Sequence, residues 1–353
     1  MIILGIETTC DETGAAVLET DGDPTAAQWL KNGRFRIRSN IIASQEHLHA
    51  KYGGVVPIIA ARAHRENLPG VIERSLRQAG VQVSDLDLIA YAAGPGLPPA
   101  LLAGRDFVAS LAEQTKTPVL PVNHLLGHLA TGLIKNVKAW QQFRSADFPA
   151  LGLIASGGHT VILLLQSLDV YKKLGETLDD AIGESLDKGA RLLDLAYPGG
   201  PKLETLAALG QPLFTLPRPL AARRGYQLSF SGLKTAFAEL VEEISSIGQL
   251  TPETRAHLAA SFQKAVFETL LVKLKRAAET ERVCSLIVGG GVLANHEFRR
   301  LLTRTLELPL YAPPLRLATD NGVQIALAAL LRLPHEQPRR DPAKLDFNPI
   351  WSL

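Results

Sequence analysis

Short apolar runs alternate with longer amphipathic stretches along most of this chain, which is the pattern of an α/β protein. The runs predict buried strands, and four of them are MIILGIE, GAAVLET, LDLIAYAAG and PVLPV. The longer stretches space their apolar residues at helical intervals. The stretch PPALLAGRDFVASLAEQT does so and also begins with proline, which suits the first turn of a helix. A long helix is predicted from Pro252 to about Thr280.

Two stretches repeat one arrangement. LGIETTCDETGAAVL and LGLIASGGHTVILLL both begin with Leu-Gly, pass through a short polar or glycine-rich turn, and continue as an apolar strand. We interpret this as an internal duplication whose second copy opens a second lobe. The first lobe is expected to comprise residues 1–120 and about 321–353, and the second residues 121–320. Residues 21–40 are expected to form a loop or hairpin excursion.

The composition is that of a soluble globular protein large enough for two lobes, with 353 residues, 46% of them apolar and 20% charged. Cys10 and Cys284 form no CxxC pair, which argues against a disulfide scaffold or a zinc ribbon. The start carries no basic segment before Glu7, and no apolar run approaches the roughly 18 residues of a membrane span. We therefore expect a cytoplasmic protein with no membrane contact.

The net charge of +2 does not by itself indicate a nucleic-acid binder. Basic residues do cluster locally, as at Arg34, Arg36 and Arg38, but such clusters are more often solvated faces than phosphate contacts.

Two histidines lie four positions apart in PVNHLLGHLA, at His124 and His128. Asn123 is a good helix N-cap, and residues four apart share one helical face, so both imidazoles can reach one ion. Leu125 stands where a zinc protease of the HExxH type carries its general base, which excludes that mechanism. Two readings remain: the pair binds a metal, or the histidines only cap and pack a half-buried helix.

Four turns with small residues follow predicted strands, namely ETTCDET, IASGGHT, PGGP and VGGGVLAN. Glycines let a backbone approach a ligand, and exposed N–H groups favour phosphate. None of the turns fits a P-loop or a dinucleotide-binding GxGxxG motif. In a duplicated two-lobed chain they indicate a nucleotide held between lobes, as in actin, Hsp70 and sugar kinases, which is an argument by analogy of fold.

Several motifs taken together resemble one family. They are LGIETTCDETGAAV, HAKYGGVVP, GPGLPPALLAG, VNHLLGHL, LIASGGHT, GESLDKGARLL, LSFSGLKTA, IVGGGVLANHEFR and APPLRLATDNG. In this order, along nearly the whole chain, they are similar to the bacterial form of the tRNA threonylcarbamoyladenosine transferases, once called O-sialoglycoprotein endopeptidases. The resemblance implies a two-lobed actin-like fold with a nucleotide and metal site between the lobes. It also implies transfer of a threonylcarbamoyl group from threonylcarbamoyl-AMP to the adenosine that follows the anticodon in ANN-decoding tRNAs.

The resemblance also implies roles for particular residues, which we state as expectations. His124, His128 and Asp320 would bind one divalent metal, iron in preference to zinc. The nucleotide-binding residues would be Ile154, Ala155, Ser156, Gly157, Gly158, Asp187, Gly200 and Asn295. Asp187 would accept from ribose hydroxyls, and Gly200 would lie against the adenine. Asp11 and Glu12 belong to a turn that is either a solvated hairpin tip or a pair of catalytic carboxylates beside the acyl group.

The expected partners are tRNA, a catalytically silent paralogous subunit (TsaB-like) and a P-loop ATPase subunit (TsaE-like). The chain departs from the family pattern at several positions. Thr9 replaces Ser, Ile58 replaces Glu, and Ala61 replaces Ser; the last two lie where the silent relative is expected to pair. Two alternatives stay open: a small-molecule kinase of the same fold, and a non-catalytic nucleotide-binding scaffold.

Overall fold

The computed structural model describes residues 1–26, 28–168 and 170–353, so residue 27 of the predicted 21–40 excursion lies outside the described part. The described residues divide into two compact units. The first comprises Met1–Ala146 and Ala312–Leu353, and the second comprises Asp147–Tyr311. Within the described part of the chain, no helix combines the length and apolar character that a membrane span requires.

The first unit is built on a sheet with the strand order β5-β4-β1-β2-β3-β7-β6. Its strands are β1 (Ile2–Glu7), β2 (Glu12–Thr20), β3 (Phe35–Ser44), β4 (Leu88–Gly94), β5 (Val119–Asn123), β6 (Ile134–Val137) and β7 (Trp140–Phe143). Strands β1, β4 and β5 run parallel, whereas the pairs from β1 through β2, β3 and β7 to β6 are antiparallel.

Helices cover this sheet. They are α1 (Trp29–Asn32), α2 (Glu46–His49), α3 (Pro57–Ala79), α4 (Pro98–Thr115), α5 (His124–Gly132) and α11 (Gly322–Arg332). Apolar residues of α3 and α4, such as Leu68 and Val108, pack with Leu4 and Ile6 of β1 in one buried cluster. Helix α11 packs against β1, β2 and α5.

Two glycines allow α11 to begin in direct contact with the sheet. A Cβ atom on Gly5 would overlap the carbonyl oxygen of Gly322, and one on Gly322 would overlap the backbone of β2 at Ala15 and Ala16. Larger residues would push the helix away from the strands. Because Asp320 precedes α11 by two positions, this close packing fixes where its carboxylate lies.

The second unit has a sheet with the order β10-β9-β8-β11-β12. Its strands are β8 (Ala150–Ala155), β9 (Thr160–Leu165), β10 (Tyr171–Glu176), β11 (Ser285–Gly289) and β12 (Leu310–Tyr311), and its helices are α6 (Ile182–Leu192), α7 (Gly199–Ala207), α8 (Ser231–Ser246), α9 (Pro252–Glu281) and α10 (His296–Leu306). The two stretches read as a duplication form the same arrangement. β1–β2 and β8–β9 are antiparallel pairs, and the first strand of each also pairs with a parallel strand, β4 or β11.

Some elements differ from the sequence-based expectation. The boundaries between the two units lie at Ala146 and Ala312, whereas the sequence predicted them at 120 and 321. The first unit is larger than predicted because α5 packs on α11 and because β6 and β7 extend the first sheet. As a result, His124, His128 and Asp320 all belong to the first unit. The hairpin of β6 and β7 was not predicted, since its sequence, IKNVKAWQQF, lacks a clear apolar alternation.

Candidate functional site

Three side chains of the first unit converge at the start of α5. The Nε2 atom of His128 lies 3.1 Å from Oδ1 of Asp320, and that of His124 lies 3.7 Å from the same oxygen. One potential ligand atom from each of the three residues lies within 4.8 Å of the other two. The two imidazole rings meet edge to face, with centroids 4.6 Å apart. The structure therefore brings together the three residues that the sequence assigned to a metal.

The orientation of His124 is set by a buried carboxylate that the sequence analysis did not select. Oε2 of Glu7, which is fully buried at the end of β1, lies 2.7 Å from Nδ1 of His124. Nε2 of Gln324 lies 3.1 Å from the same nitrogen. The short contact to Glu7 assigns the ring proton to Nδ1, which leaves Nε2 as a ligand beside Asp320. The only sequence signal for Glu7 was a carboxylate placed at the end of a buried strand, where side chains are rarely charged.

The pKa values of the two imidazoles are shifted in opposite directions. Burial by itself would lower the pKa of His124, but the carboxylates of Glu7 and Asp320 outweigh it and raise the pKa to about 9. Burial, together with the neighbouring His124, lowers the pKa of His128. Without a metal, His124 thus favours its protonated form and His128 its neutral form, and a metal at Nε2 of His124 would displace the proton from that nitrogen.

The donor set fits a divalent metal. Both ring nitrogens of His128 are buried, and neither makes a hydrogen bond of acceptable geometry within the described residues. The approach of Nε2 to Asp320 is short but lacks that geometry. Buried polar atoms normally have a partner, and two imidazoles with one carboxylate form a ligand set used by iron and zinc.

The beginning of α5 is fixed by Asn123, as predicted. Its side-chain oxygen accepts hydrogen bonds from the backbone N–H groups of Leu125 at 2.8 Å and Leu126 at 3.3 Å. Its amide nitrogen donates to the carbonyl oxygen of Trp351 at 3.0 Å. The carboxyl-terminal segment therefore holds the N-cap of the helix that carries both histidines.

The predicted carboxylates Asp11 and Glu12 stand at the turn between β1 and β2, where β2 begins at Glu12. Burial, followed by the negative charges of Asp11 and Asp320, raises the pKa of Glu12 well above its usual range. The same surroundings raise the pKa of the Cys10 thiol. The pKa of Glu12 thus depends on the charge of Asp320, and Glu12 is not the fully solvated tip of a hairpin.

The predicted nucleotide-binding residues belong to the second unit. Ile154 and Ala155 are completely buried in β8, so only their backbones can reach a ligand. The turn that follows is closed by two hydrogen bonds. The N–H group of Ser156 donates to the carbonyl oxygen of His159, and the N–H group of His159 donates to Oγ of Ser156. Added Cβ atoms at Gly157 and Gly158 would meet no other atom within 4 Å. These two glycines therefore border open space.

Asp187 and Gly200 are brought together by a structural contact. Oδ1 of Asp187 accepts hydrogen bonds from the backbone N–H groups of Gly199 at 2.8 Å and Gly200 at 2.9 Å. These groups belong to the first turn of α7, where N–H groups lack partners within the helix. One oxygen of Asp187 therefore supports α7, and its predicted contact with ribose stays a prediction.

Asn295 also has a structural role. It is the N-cap of α10, accepting from Phe298 N–H at 2.8 Å, and it donates to the side chain of Gln263 at 3.1 Å. Nearby, Gly290 has a φ of 105°, and a Cβ atom there would overlap the carbonyl of Ala155. The GGG turn after β11 thus touches the end of β8. In addition, the N–H group of Gly183, at the start of α6, donates to the carbonyl oxygen of Ser156 at 3.1 Å. The GGG turn and the start of α6 therefore both contact the segment formed by Ala155 and Ser156.

Comparison with known proteins identifies relatives along the full chain. The profile of a family described as TsaD, tRNA N6-adenosine threonylcarbamoyltransferase, matches residues 36–327. Proteins bearing that enzyme name are similar to this chain. That of Jannaschia sp. strain CCS1 is 44% identical over 100% of this chain and 93% of the relative. That of Methylobacterium sp. strain 4-46 is 46% identical over 94% of this chain and 92% of the relative. That of Chromobacterium violaceum is 40% identical over 100% of this chain and 98% of the relative.

Solved structures share the fold at low sequence identity. Component A of the (R)-2-hydroxyglutaryl-CoA dehydratase of Acidaminococcus fermentans has a TM-score of 0.51 at 15% identity, over 94% of this chain and 99% of that chain. HypF of T. kodakarensis has a TM-score of 0.55 at 17% identity, over 94% of this chain and 47% of that chain. The predicted actin-like α/β fold class is thereby confirmed.

Proposed function

This chain belongs to the tRNA N6-adenosine threonylcarbamoyltransferase family, and from that premise we propose that His124, His128 and Asp320 hold the metal of its transfer site. The protein is a transferase that takes part in the synthesis of threonylcarbamoyladenosine in tRNA. The donor we infer is threonylcarbamoyl-AMP, and the acceptor is the exocyclic amine of the adenosine 3′ of the anticodon in ANN-decoding tRNAs.

The chemical difficulty lies in the nucleophile. The lone pair of an adenosine amine is delocalised into the purine, so the amine attacks a carbamoyl carbonyl slowly. The enzyme must therefore activate the donor and hold both reactants in register, since correct positioning alone can account for a large part of the barrier.

The observation that carries the metal assignment is the triad of two buried histidines and the half-buried Asp320, in which both nitrogens of His128 lack hydrogen bonds of acceptable geometry among the described residues. When bound, a divalent metal supplies a Lewis acid for a phosphate or carbonyl oxygen. Two imidazoles and one carboxylate leave coordination positions open, and we favour iron over zinc because this ligand set is typical of non-haem iron sites. Glu7 holds His124 in the tautomer that such a site needs.

The backbone of the second unit is the part of the protein that we assign to the adenylate. Gly157 and Gly158 border open space, and the adjoining turn at Gly290 brings a second run of glycines against β8. Backbone N–H groups in such turns stabilise phosphate, so AMP leaves as an anion that is already bound. Ile154, Ala155 and Ser156 lead into this turn, and Asp187, Gly200 and Asn295 are the further residues that we assign to the nucleotide.

Glu12 is the stronger of the two candidate carboxylates for proton transfer. Burial, with Asp11 and Asp320 nearby, raises its pKa well above the usual range. A raised pKa makes the ionised carboxylate a stronger base, which suits accepting a proton from the attacking amine and passing it on. Asp11 stands beside it and would keep the acyl group oriented.

We further propose that the protein works in the cytoplasm with a silent paralogue (TsaB-like) and a P-loop ATPase (TsaE-like). An exposed apolar side chain at the start of a long helix supports a protein partner: Ile58, the second residue of α3, is 78% exposed. The family resemblance places that partner at this helix, and Ile58 gives it an apolar contact where a Glu is usual.

The proposed function is tested by reconstitution. The anaerobically purified, metal-loaded protein is mixed with its partner proteins, threonylcarbamoyl-AMP and an unmodified ANN-decoding tRNA, and the digested tRNA is analysed for the modified nucleoside. We expect product that depends on the metal and on the adenosine after the anticodon. Absence of product, together with phosphoryl transfer from ATP to a small sugar, would instead support a kinase of the same fold.

A further inference from the structure

One edge of the first unit carries a basic and aromatic surface that the transfer site does not use. It combines Arg36 of β3 and Arg34, which directly precedes that strand, with Lys135, Lys138 and Trp140 of the hairpin formed by β6 and β7. We call these five residues the Trp140 patch. Three of its members, Arg34, Lys135 and Lys138, are exposed, and the other two are half-buried.

The strand register explains why these residues meet. Phe35 pairs with Gln141, so Arg36 stands opposite Trp140 on the antiparallel partner. The Arg36 guanidinium carbon lies 4.6 Å from the centroid of the Trp140 ring, and that of Arg34 lies 5.6 Å away. Lys135 pairs with Gln142 on the edge strand β6. Both arginines therefore contact the Trp140 ring, and Lys135 lies on β6, the strand that pairs with β7.

The positive charge of the patch is only partly neutralised. Asp21 forms an ion pair with Arg34 at 2.6 Å. Among the described residues, Arg36, Lys135 and Lys138 have no carboxylate within ion-pair distance. The Nε atom of Arg36 is buried and has no hydrogen-bond partner in the described structure. Three of the four cations in the patch, Arg36, Lys135 and Lys138, are therefore free of an ion pair within the described residues.

From this geometry we propose that the Trp140 patch binds the phosphate backbone of the tRNA substrate. The inference rests on the proposed function and adds a docking surface to it. A guanidinium stacked on an indole is held in place before binding, so it loses little side-chain entropy on meeting a phosphate. Phosphodiesters carry one negative charge per nucleotide, which matches several cations carried by the start of β3 and by the hairpin of β6 and β7.

The position of the patch in the chain is consistent with that role. Helix α5, which carries both metal histidines, runs directly into β6, and His128 and Lys135 are seven positions apart. Seven residues span at most about 25 Å even when fully extended. A nucleic-acid stem of about eight base pairs is roughly that long. One RNA arm can therefore reach both the histidines and this edge of the sheet.

The test is the affinity of the full chain for a fluorescently labelled, unmodified tRNA, measured by anisotropy across a series of salt concentrations. We expect Arg36→Ala to weaken binding about three- to tenfold at low salt and to reduce the slope of log K against log salt by about 0.7 to 0.9, the loss of one phosphate contact. Lys135→Ala, an exposed position, should act in the same direction. Trp140→Phe keeps an aromatic ring with a weaker cation–π interaction and should have a smaller effect than Arg36→Ala.

Arg62→Ala is the matched control, because it removes one exposed arginine from the same unit without touching the patch. If Arg36→Ala and Lys135→Ala bind tRNA like the native chain and like Arg62→Ala, the inference is wrong. If they leave tRNA binding unchanged but weaken assembly with a partner protein, the patch is a protein interface. Failure of the native enzyme to form product would count against the proposed function instead, so the two failures are distinguishable.

Discussion

The proposed metal triad and the proposed nucleotide turns use different parts of the polypeptide. In the first unit the proposed chemistry resides in side chains, since His124, His128 and Asp320 lie together and Glu7 bonds to His124. In the second unit the conspicuous side chains, Asp187 and Asn295, hold helix starts, while glycines border open space. The first region depends on side-chain identity, and the second depends on backbone shape.

The largest effect is expected from removing a ligand of the triad. His124→Ala should lose stoichiometric metal, and activity should fall by more than the roughly 100-fold typical of disturbing an outer-shell partner. Metal analysis and transfer assays measure this, with circular dichroism to check the fold. His47→Ala, an exposed histidine, is the control. Full metal occupancy in His124→Ala would show that the histidines only pack the helix.

The second largest effect is expected at Glu7, which touches the triad without belonging to it. Glu7→Gln keeps the size of the side chain but weakens the charge that orients His124. Metal affinity should therefore fall about 10- to 100-fold. Glu46→Gln provides an exposed control on α2. Competition with a chelator gives the affinity, and an unchanged value would mean that Glu7 is a structural carboxylate.

A smaller effect is expected in the backbone region, from filling the space beside Gly158. An added Cβ meets nothing within 4 Å, so Gly158→Ala should fold normally yet weaken adenylate binding about tenfold by occupying the ligand's place. Gly54→Ala is a control at an equally open glycine of the first unit. Calorimetry with a non-hydrolysable adenylate measures the difference. Equal affinities in the two variants would exclude Gly158 from the nucleotide site.

The smallest effect is expected at Asp187, and it separates the structural role from the ligand role. Asp187→Ala leaves the N–H groups of Gly199 and Gly200 without their acceptor, which should cost about 1 kcal/mol and lower the Tm by about 2–4 °C. Glu239→Ala, an exposed residue of α8, should leave the Tm unchanged. Any further loss of adenylate affinity in Asp187→Ala beyond this destabilisation would support the predicted ribose contact.

Local sequence by itself determines several elements in both units of the protein. Capping by Asn123 and the four-residue spacing of the histidines are properties of a single helix turn, and both are observed. The helix predicted from Pro252 to about Thr280 is found from Pro252 to Glu281, for the same reason: its start signal and its periodicity are local. The family motifs extended this to Asp320, which no local rule connects with α5.

Tertiary structure alone decided which residues surround the triad and which surround the nucleotide turns. Glu7 and Gln324 are 117 and 200 positions from His124. Glu7 meets it because β1 and β5 flank β4 in one sheet, and Gln324 meets it because glycines let α11 lie directly on β1 and β2. Likewise, the family resemblance selected Asp187 and Asn295 as nucleotide ligands, and only the fold reveals that both side chains also hold the starts of α7 and α10. A sequence specifies donors, acceptors and helical faces locally, whereas the partner of each group depends on long-range packing of strands and helices.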